Sequence, residues 1–153
     1  MSAKKNPLPL LWLLLSLLPG VTVQAATATP PTLKNTAFYY AAKPPTDILK
    51  QYQRVILESD NITAQELEII NSEGAETFAY LSVGEVSPTR KWYSDIQKSW
   101  ILGHNNVWDS DVMDLTNEEW RDFLLNRLVS PLIEQGYTGL FLDTMDSYQL
   151  YAE

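Results

Sequence analysis

The 153-residue sequence contains no cysteine and a single histidine, His104. The absence of cysteine excludes disulfides, thiolate metal sites and a lipid-modified amino-terminal cysteine, so the core alone must stabilise the fold. One histidine excludes a zinc site built from several histidines. No glycine-rich phosphate loop and no G-x-S-x-G sequence occurs, which argues against nucleotide binding and serine-hydrolase chemistry. We therefore expect neither a metal nor another cofactor.

Basic residues are also few. The chain has 11 lysines and arginines against 19 aspartates and glutamates, and its formal net charge is −8 at pH 7. An acidic surface repels the phosphate backbone and attracts cations. This balance argues against a nucleic-acid partner and is compatible with a cationic ligand.

The amino terminus has the layout of a secretory signal peptide. Lys4 and Lys5 precede an apolar run from Leu8 to Leu18, and small residues follow at Val23-Gln24-Ala25. The run is short for a membrane span, so we predict cleavage after Ala25, with an uncleaved anchor as the alternative. Residues 1–25 are thus a predicted leader to the periplasm or the exterior, with no stable membrane span after cleavage. Residues 26–35, rich in threonine and proline, are a predicted linker.

The remaining sequence alternates between strand and helix patterns. Predicted strands are Thr36–Ala41, Arg54–Glu58, Glu76–Val83 and Gly139–Leu142, and predicted helices are Thr46–Tyr52, a helix from Thr63 to Gly74, and a long helix from Thr116. The spacing Thr63-x-x-Glu66, and again Thr116-x-x-Glu119, is that of a capping box. In the long helix, apolar residues at helical spacing should face the sheet, and Pro131 should kink or split its end.

Four strands with intervening helices predict a parallel α/β sheet. Two architectures fit this pattern, a doubly wound sheet and half of a (β/α)8 barrel. A complete barrel takes about 250 residues, roughly twice the length of the chain after the leader. The chain also ends where a fourth helix should begin, so we expect a truncated chain or half-barrel.

The stretch 136–151 contains the strongest candidate for a site. Its apolar run Leu140-Phe141-Leu142 is followed at once by Asp143, and by Asp146 three residues later. Polar groups at the carboxyl ends of parallel strands are where α/β proteins place ligand sites and catalysis. The alternative is that one of these aspartates caps the next helix, and the pattern alone does not separate the two.

The connection from Gly84 to Asp114 is long, without clear secondary structure, and rich in aromatic and acidic residues. Aromatic rings beside amides and carboxylates suit sugars, which stack on rings and hydrogen-bond to polar groups. For Trp92 and Trp100, packing of the connection onto the sheet is an equal alternative. The acids between Asp109 and Asp114 lack the spacing and the glycine of a calcium loop.

Several motifs resemble the endo-α-1,4-polygalactosaminidases, glycoside hydrolase family 114. They are FYYAAKPP (38–45), AYLSVGEV (79–86), WILGHNNVW (100–108), VMD (112–114) and GYTGLFLDTMDSYQL (136–150). The closest resemblance is to the amino-terminal hydrolase domain of bifunctional Pel exopolysaccharide hydrolase/deacetylase proteins. It implies that residues 36–153 form part of a (β/α)8 TIM-barrel glycosidase domain without a cofactor. The implied substrate is an α-1,4-linked, partly deacetylated and therefore cationic galactosamine polymer of a biofilm, and proteins of exopolysaccharide export are a further partner class.

The resemblance also assigns site residues. It makes Asp143 the catalytic carboxylate at the end of the fourth barrel strand and implies a partner glutamate on a later strand, beyond Glu153. Substrate-binding or supporting residues are expected on the same rim, namely Glu85, Asp146, Tyr39, Tyr40, Trp108, Asp109 and Tyr148. Two other functions remain open for this chain, a non-catalytic carbohydrate-binding module and an inactive degenerate barrel.

Overall fold

The structure, a computed structural model, describes residues 35–151. The predicted leader and linker residues 26–34 lie outside this range. The strands are β1 Thr36–Tyr39, β2 Arg54–Glu58, β3 Glu76–Ser82, β4 Glu85–Val86, β5 Ile101–Asn105, β6 Ser110–Met113 and β7 Gly139–Asp143. The α-helices are α1 Thr46–Leu49, α2 Ala64–Asn71, α3 Glu118–Phe123 and α4 Ser130–Gln135. Within residues 35–151 no helix is long and apolar enough to cross a membrane.

The main sheet has four parallel strands in the order β1-β2-β3-β7. Neighbouring strands therefore follow one another along the sheet, as in a barrel, whereas a doubly wound sheet reverses its order partway. The half-barrel prediction is confirmed. Predicted strand limits agree to within two residues, the largest difference being that β1 ends at Tyr39 and not at Ala41.

Helices cover one face of this sheet. Val55 and Leu57 of β2 and Ala79 of β3 pack against Leu67 and Ile70 of α2 in a buried cluster. Side chains alternate between faces along a strand, so the opposite face carries Phe38, Tyr80 and Phe141, whose rings contact one another edge-on or stacked. Phe38 and Phe141 remain exposed there.

The two predicted capping boxes have different outcomes. Thr63 and Glu66 form a full capping box at the start of α2, as expected. The second prediction is wrong, because α3 is capped by Asn117, whose side chain accepts a hydrogen bond from the Trp120 amide at 3.1 Å. Asp114 instead accepts both the Thr116 amide, at 2.8 Å, and the Thr116 hydroxyl, at 2.6 Å.

The long helix changes its hydrogen bonding ahead of Pro131. A π-helical segment, Leu124–Val129, lies between α3 and α4, and Pro131 falls in the first turn of α4. The Ser130 hydroxyl donates to the Leu125 carbonyl at 2.9 Å, five residues back. The irregularity predicted at Pro131 therefore lies one turn earlier, in the π-helical segment. The wider π-helical turns relieve the clash between the Pro131 ring and the backbone that precedes it.

The connection between β3 and α3 is not irregular, which corrects the prediction. It forms a small antiparallel sheet in the order β4-β6-β5. Trp100 is buried, with its ring centroid 6.0 Å from that of Trp120, and Trp92 lies 5.7 Å from Phe123. Both tryptophans pack the connection against α3, the alternative left open by the sequence.

Trp120 is the largest fully buried side chain among residues 35–151, with 0% of its surface exposed, and its indole N–H donates to the Val83 carbonyl at 3.1 Å. We expect Trp120→Ala to lower the free energy of unfolding by about 3–5 kcal/mol, since it leaves a cavity. Trp108→Ala is the matched control, because Trp108 is 76% exposed and surface substitutions change stability by about 0.5 kcal/mol or less. Urea denaturation measures both, and equal losses would contradict this account of the core.

Candidate active site

A cleft of about 500 Å³ lies at the carboxyl ends of β3 and β7, against the small sheet. Among its lining residues are Tyr80, Glu85, Arg90, Trp108, Asp143 and Asp146. The position follows from topology, since the carboxyl ends of parallel strands open on one edge of the sheet. The lining carries three carboxylic acids and one arginine, so the cleft is acidic.

Asp143 is oriented by two hydrogen bonds. Its Oδ2 accepts the Tyr80 hydroxyl at 2.7 Å and its Oδ1 accepts the Thr144 amide at 2.8 Å. Burial, together with the hydrogen bond to Asp143, raises the pKa of Tyr80. Tyr80 therefore stays protonated and acts as a permanent donor, which leaves the Asp143 carboxylate in one fixed orientation facing the cleft.

The turn that follows Asp143 has an unusual backbone. Thr144 adopts a left-handed φ of 60°, which β-branched residues rarely occupy. Its hydroxyl accepts the Gly84 amide at 3.0 Å and lies 2.8 Å from the Ser82 hydroxyl. A Cβ placed on Gly84 would lie 1.9 Å from the Thr144 carbonyl oxygen. Only glycine at position 84 allows β3 and this turn to approach so closely.

Glu85 is almost entirely buried, with 8% of its surface exposed. Its Oε1 accepts the Ser147 hydroxyl at 2.6 Å and the Asn105 amide at 3.1 Å, and its Oε2 accepts the Ser110 hydroxyl. Burial raises the pKa of Glu85, but these three donors outweigh it, and the net pKa is lowered. The carboxylate is thus held ionised on the wall of the cleft.

Arg90 is the basic residue of the cleft, and sequence reasoning missed it. Its guanidinium donates to both carboxylate oxygens of Glu58, at 2.8 and 2.9 Å, and to Asp60 at 3.0 Å. Two carboxylates thus offset its single charge, and the surroundings remain acidic. Glu58 ends β2 as Asp143 ends β7, so the same positional rule could have identified it.

Trp108 lies at the tip of the hairpin formed by β5 and β6. It is largely exposed and lines the cleft. The hairpin is tied by His104, whose Nδ1 lies 3.0 Å from Asp111 and whose Nε2 lies 3.3 Å from Asp109. Asp109, with a left-handed φ of 49°, therefore supports the turn that carries Trp108 and does not itself line the cleft.

Besides Asp109, two of the predicted site residues lie away from the main cleft, Tyr39 and Tyr148. Tyr39 packs against the buried cluster on the helix-covered face, because adjacent residues of a strand face opposite sides. Tyr148 lies with Tyr151 and Leu102 along a separate cleft. Tyr40 borders the main cleft through Tyr80, with ring centroids 5.0 Å apart. Glu85, Trp108, Asp143 and Asp146 line the main cleft together.

Asp146 immediately precedes the short 3-10 turn Ser147–Leu150, at the position of a capping residue, but its side chain makes no capping hydrogen bond. The helix-cap interpretation of this residue is therefore not realised. Its carboxylate is available to the cleft. Among residues 35–151 no group of three or more histidine, aspartate or glutamate side chains has the arrangement of a metal site.

Comparison with known proteins places the chain among glycoside hydrolases. The model of glycoside-hydrolase family GH114 matches residues 20–152. The glycoside hydrolase domain of PelA from Pseudomonas aeruginosa is 40% identical, with a TM-score of 0.69 over 77% of this chain and 47% of that domain. Aspergillus fumigatus Ega3, solved in complex with galactosamine, is 16% identical, with a TM-score of 0.64 over 76% of this chain and 46% of that one.

A curated relative, an uncharacterised protein of Methanocaldococcus jannaschii, is 26% identical over 112 residues, which are 69% of this chain and 32% of that protein. The chain thus spans about a third of the length of this curated relative and about half of the two solved structures.

The pKa of His104 tests which carboxylate is its main partner in the hairpin. The hydrogen bond to Asp111, followed by the charges of Asp111 and Asp109, raises the pKa of His104. A raised pKa means that the ion pairs stabilise the hairpin fully below pH 6.5 and are lost as the pH rises through the folded-state value. We expect Asp111→Asn to lower the pKa of His104 more than Asp109→Asn does, as measured by NMR titration of the imidazole. Equal shifts would show that Asp111 is not the main partner.

Proposed function

The chain belongs to glycoside hydrolase family GH114, and we propose that it cleaves a galactosamine-containing polysaccharide, with Asp143 as a catalytic carboxylate. The observation that carries the proposal is the placement of Asp143 at the carboxyl end of β7, oriented by Tyr80 and Thr144 in an acidic cleft. Glycosidases generally use two carboxylates, one on each side of the scissile bond. Asp143 supplies one of them.

The chemistry of the cleft supports an amino sugar as the substrate. Glu85, Asp143 and Asp146 line it, and the charge of Arg90 is offset by Glu58 and Asp60. An ammonium group on a partly deacetylated polymer would be attracted to this concentration of negative charge. The exposed indole of Trp108 offers a face on which the C–H side of a sugar ring stacks. Ega3 was solved with galactosamine, which agrees with this substrate class.

We also propose the setting in which the protein acts. The pattern of residues 1–25 supports export, so the substrate would be met in the periplasm or outside the cell. An exported polysaccharide hydrolase of this kind would act alongside the proteins that secrete the polymer.

A second candidate function is sugar binding without cleavage. The exposure of Trp108 favours it, because an exposed indole offers a stacking face for a sugar ring and has no group that could act as an acid or a base. The two functions share the cleft and differ in the consequence of losing the Asp143 carboxylate.

Asp143→Asn tests the catalytic role. The assay uses the full-length natural protein. We expect the substitution to lower kcat for a partly deacetylated galactosamine oligomer at least about 100-fold and to leave the fold intact. Reducing-end release measures cleavage and circular dichroism checks folding. Asp122→Asn, an exposed change on α3, is the control and should leave kcat unchanged. Binding without cleavage by the wild-type protein would instead establish the second candidate.

Ligand charge provides a further prediction. Exposed ion pairs contribute about 0.2–1 kcal/mol each, so a few of them should favour deacetylated over fully acetylated oligomers by about tenfold in Kd. Added salt should narrow the difference, because screening acts over about 8 Å at physiological ionic strength. Calorimetric titration of length-matched oligomers at low and high salt measures both effects. Equal affinities at low salt would show that charge does not select the ligand.

A further inference from the structure

Glu85 bonds to two other parts of the chain, the hairpin of β5 and β6 and the turn after β7. Asn105 ends β5, Ser110 begins β6, and Ser147 belongs to the turn after β7. Each donates to the Glu85 carboxylate, and the Ser147 hydroxyl does so at 2.6 Å across 62 positions of sequence. Two donors come from the small sheet that carries Glu85 itself. Ser147 alone comes from the segment that follows Asp143.

The carboxylate makes these bonds without a basic partner. Within residues 35–151 it forms no ion pair with lysine, arginine or histidine. A buried charge is costly unless hydrogen bonds satisfy it, and hydrogen bonds to charged groups are roughly twice as strong as those between neutral groups. The hydrogen bond from Ser147 to the charged Glu85 is therefore stronger than a hydrogen bond from Ser147 to a neutral side chain would be.

From Ser147 a short path leads to Asp143. The Ser147 amide donates to the Thr144 carbonyl at 3.2 Å, and the Thr144 amide donates to Asp143 Oδ1 at 2.8 Å. Thr144 occupies its left-handed conformation between these two contacts. A strained residue persists only where the surrounding structure over-determines it. Here Gly84 restrains Thr144 from one side, and the Ser147 end of the turn is tied to Glu85.

We propose that Glu85 is a positioning residue, which through Ser147 holds the strained Thr144 turn in the conformation that orients the Asp143 carboxylate. As far as it concerns catalysis, this inference rests on the proposed function. Glu85 acts through hydrogen bonds that are already complete in the free protein. Substrate contact is not required of it.

Two serine variants separate positioning from general loss of the network. Ser147→Ala removes the bond from Glu85 to the Thr144 turn, whereas Ser110→Ala removes a bond of similar kind within the small sheet. Each variant deletes one hydroxyl and preserves the Glu85 side chain. Two hydrogen-bond donors to the buried carboxylate remain in each, so neither variant should unfold the protein. Amide hydrogen exchange followed by NMR reports local opening of the turn.

We expect Ser147→Ala to speed exchange of the Thr144 and Ser147 amides about tenfold or more, and Ser110→Ala to change them by less than about threefold. Glu85→Gln, which removes the charge and keeps the shape, should speed exchange by an intermediate factor. Equal effects of the two serine variants, or no effect of Ser147→Ala, would overturn the proposal.

The kinetic test uses the full-length protein. Small misplacements of a catalytic group cost up to about 100-fold in rate, so Ser147→Ala should lower kcat about 10–100-fold while KM changes by less than about threefold. A rise in KM with unchanged kcat would assign Ser147 to substrate binding and overturn the positioning role. If the wild-type protein cleaves no galactosamine polymer, the proposed function fails, and hydrogen exchange still decides whether Glu85 positions the turn.

Discussion

The parallel pairing of β3 with β7 is the interaction on which the site depends. The register pairs Phe78 with Gly139, Tyr80 with Phe141 and Ser82 with Asp143. Tyr80 lies two residues before Ser82, so its side chain is on the same face of the sheet as that of Asp143. The Tyr80 hydroxyl therefore reaches the Asp143 carboxylate. A slip of one residue would turn Asp143 to the helix-covered face, away from this cleft. Gly139 leaves room for the Phe78 ring beside it, since a Cβ there would lie 2.8 Å from that ring.

The small antiparallel sheet provides the other half of the cleft. It departs from the main sheet directly after β3 and returns to it through α3, so that Glu85, Ser110 and Trp108 face the end of β7. Its aromatic residues divide by burial. Trp100 packs in the cluster around Trp120, whereas Trp108 is left at the tip of a hairpin. One segment therefore contributes to the core at its base and to the site at its tip.

The main sheet was predictable from sequence because its signals are local. Short apolar runs predict the four strands, three of them beside glycine or proline, and Asp143 follows from the rule for strand ends. The small sheet was not predictable, because β4 has two residues and a pattern so short has no period. Tyr39 and Tyr40 show a second limit. Adjacent aromatic residues look equivalent in sequence, but the alternation of side chains places Tyr39 on the helix-covered face and Tyr40 beside Tyr80 at the border of the cleft. Arg90 depends on contacts with Glu58 and Asp60 across 30 or more residues, which composition does not reveal.

The contact between Gly84 and Thr144 has a practical consequence for protein engineering. Any side chain at position 84 would meet backbone, which cannot rotate away, so this position should stay constant in a mutagenesis library aimed at the cleft. Trp108, at a solvent-exposed hairpin tip, has no such restriction and is the natural place for randomisation. The same contrast offers a simple filter for environmental sequences of this family. Those without glycine at the equivalent of position 84 would have to build the turn after β7 differently, and they call for separate classification before activity is assigned to them.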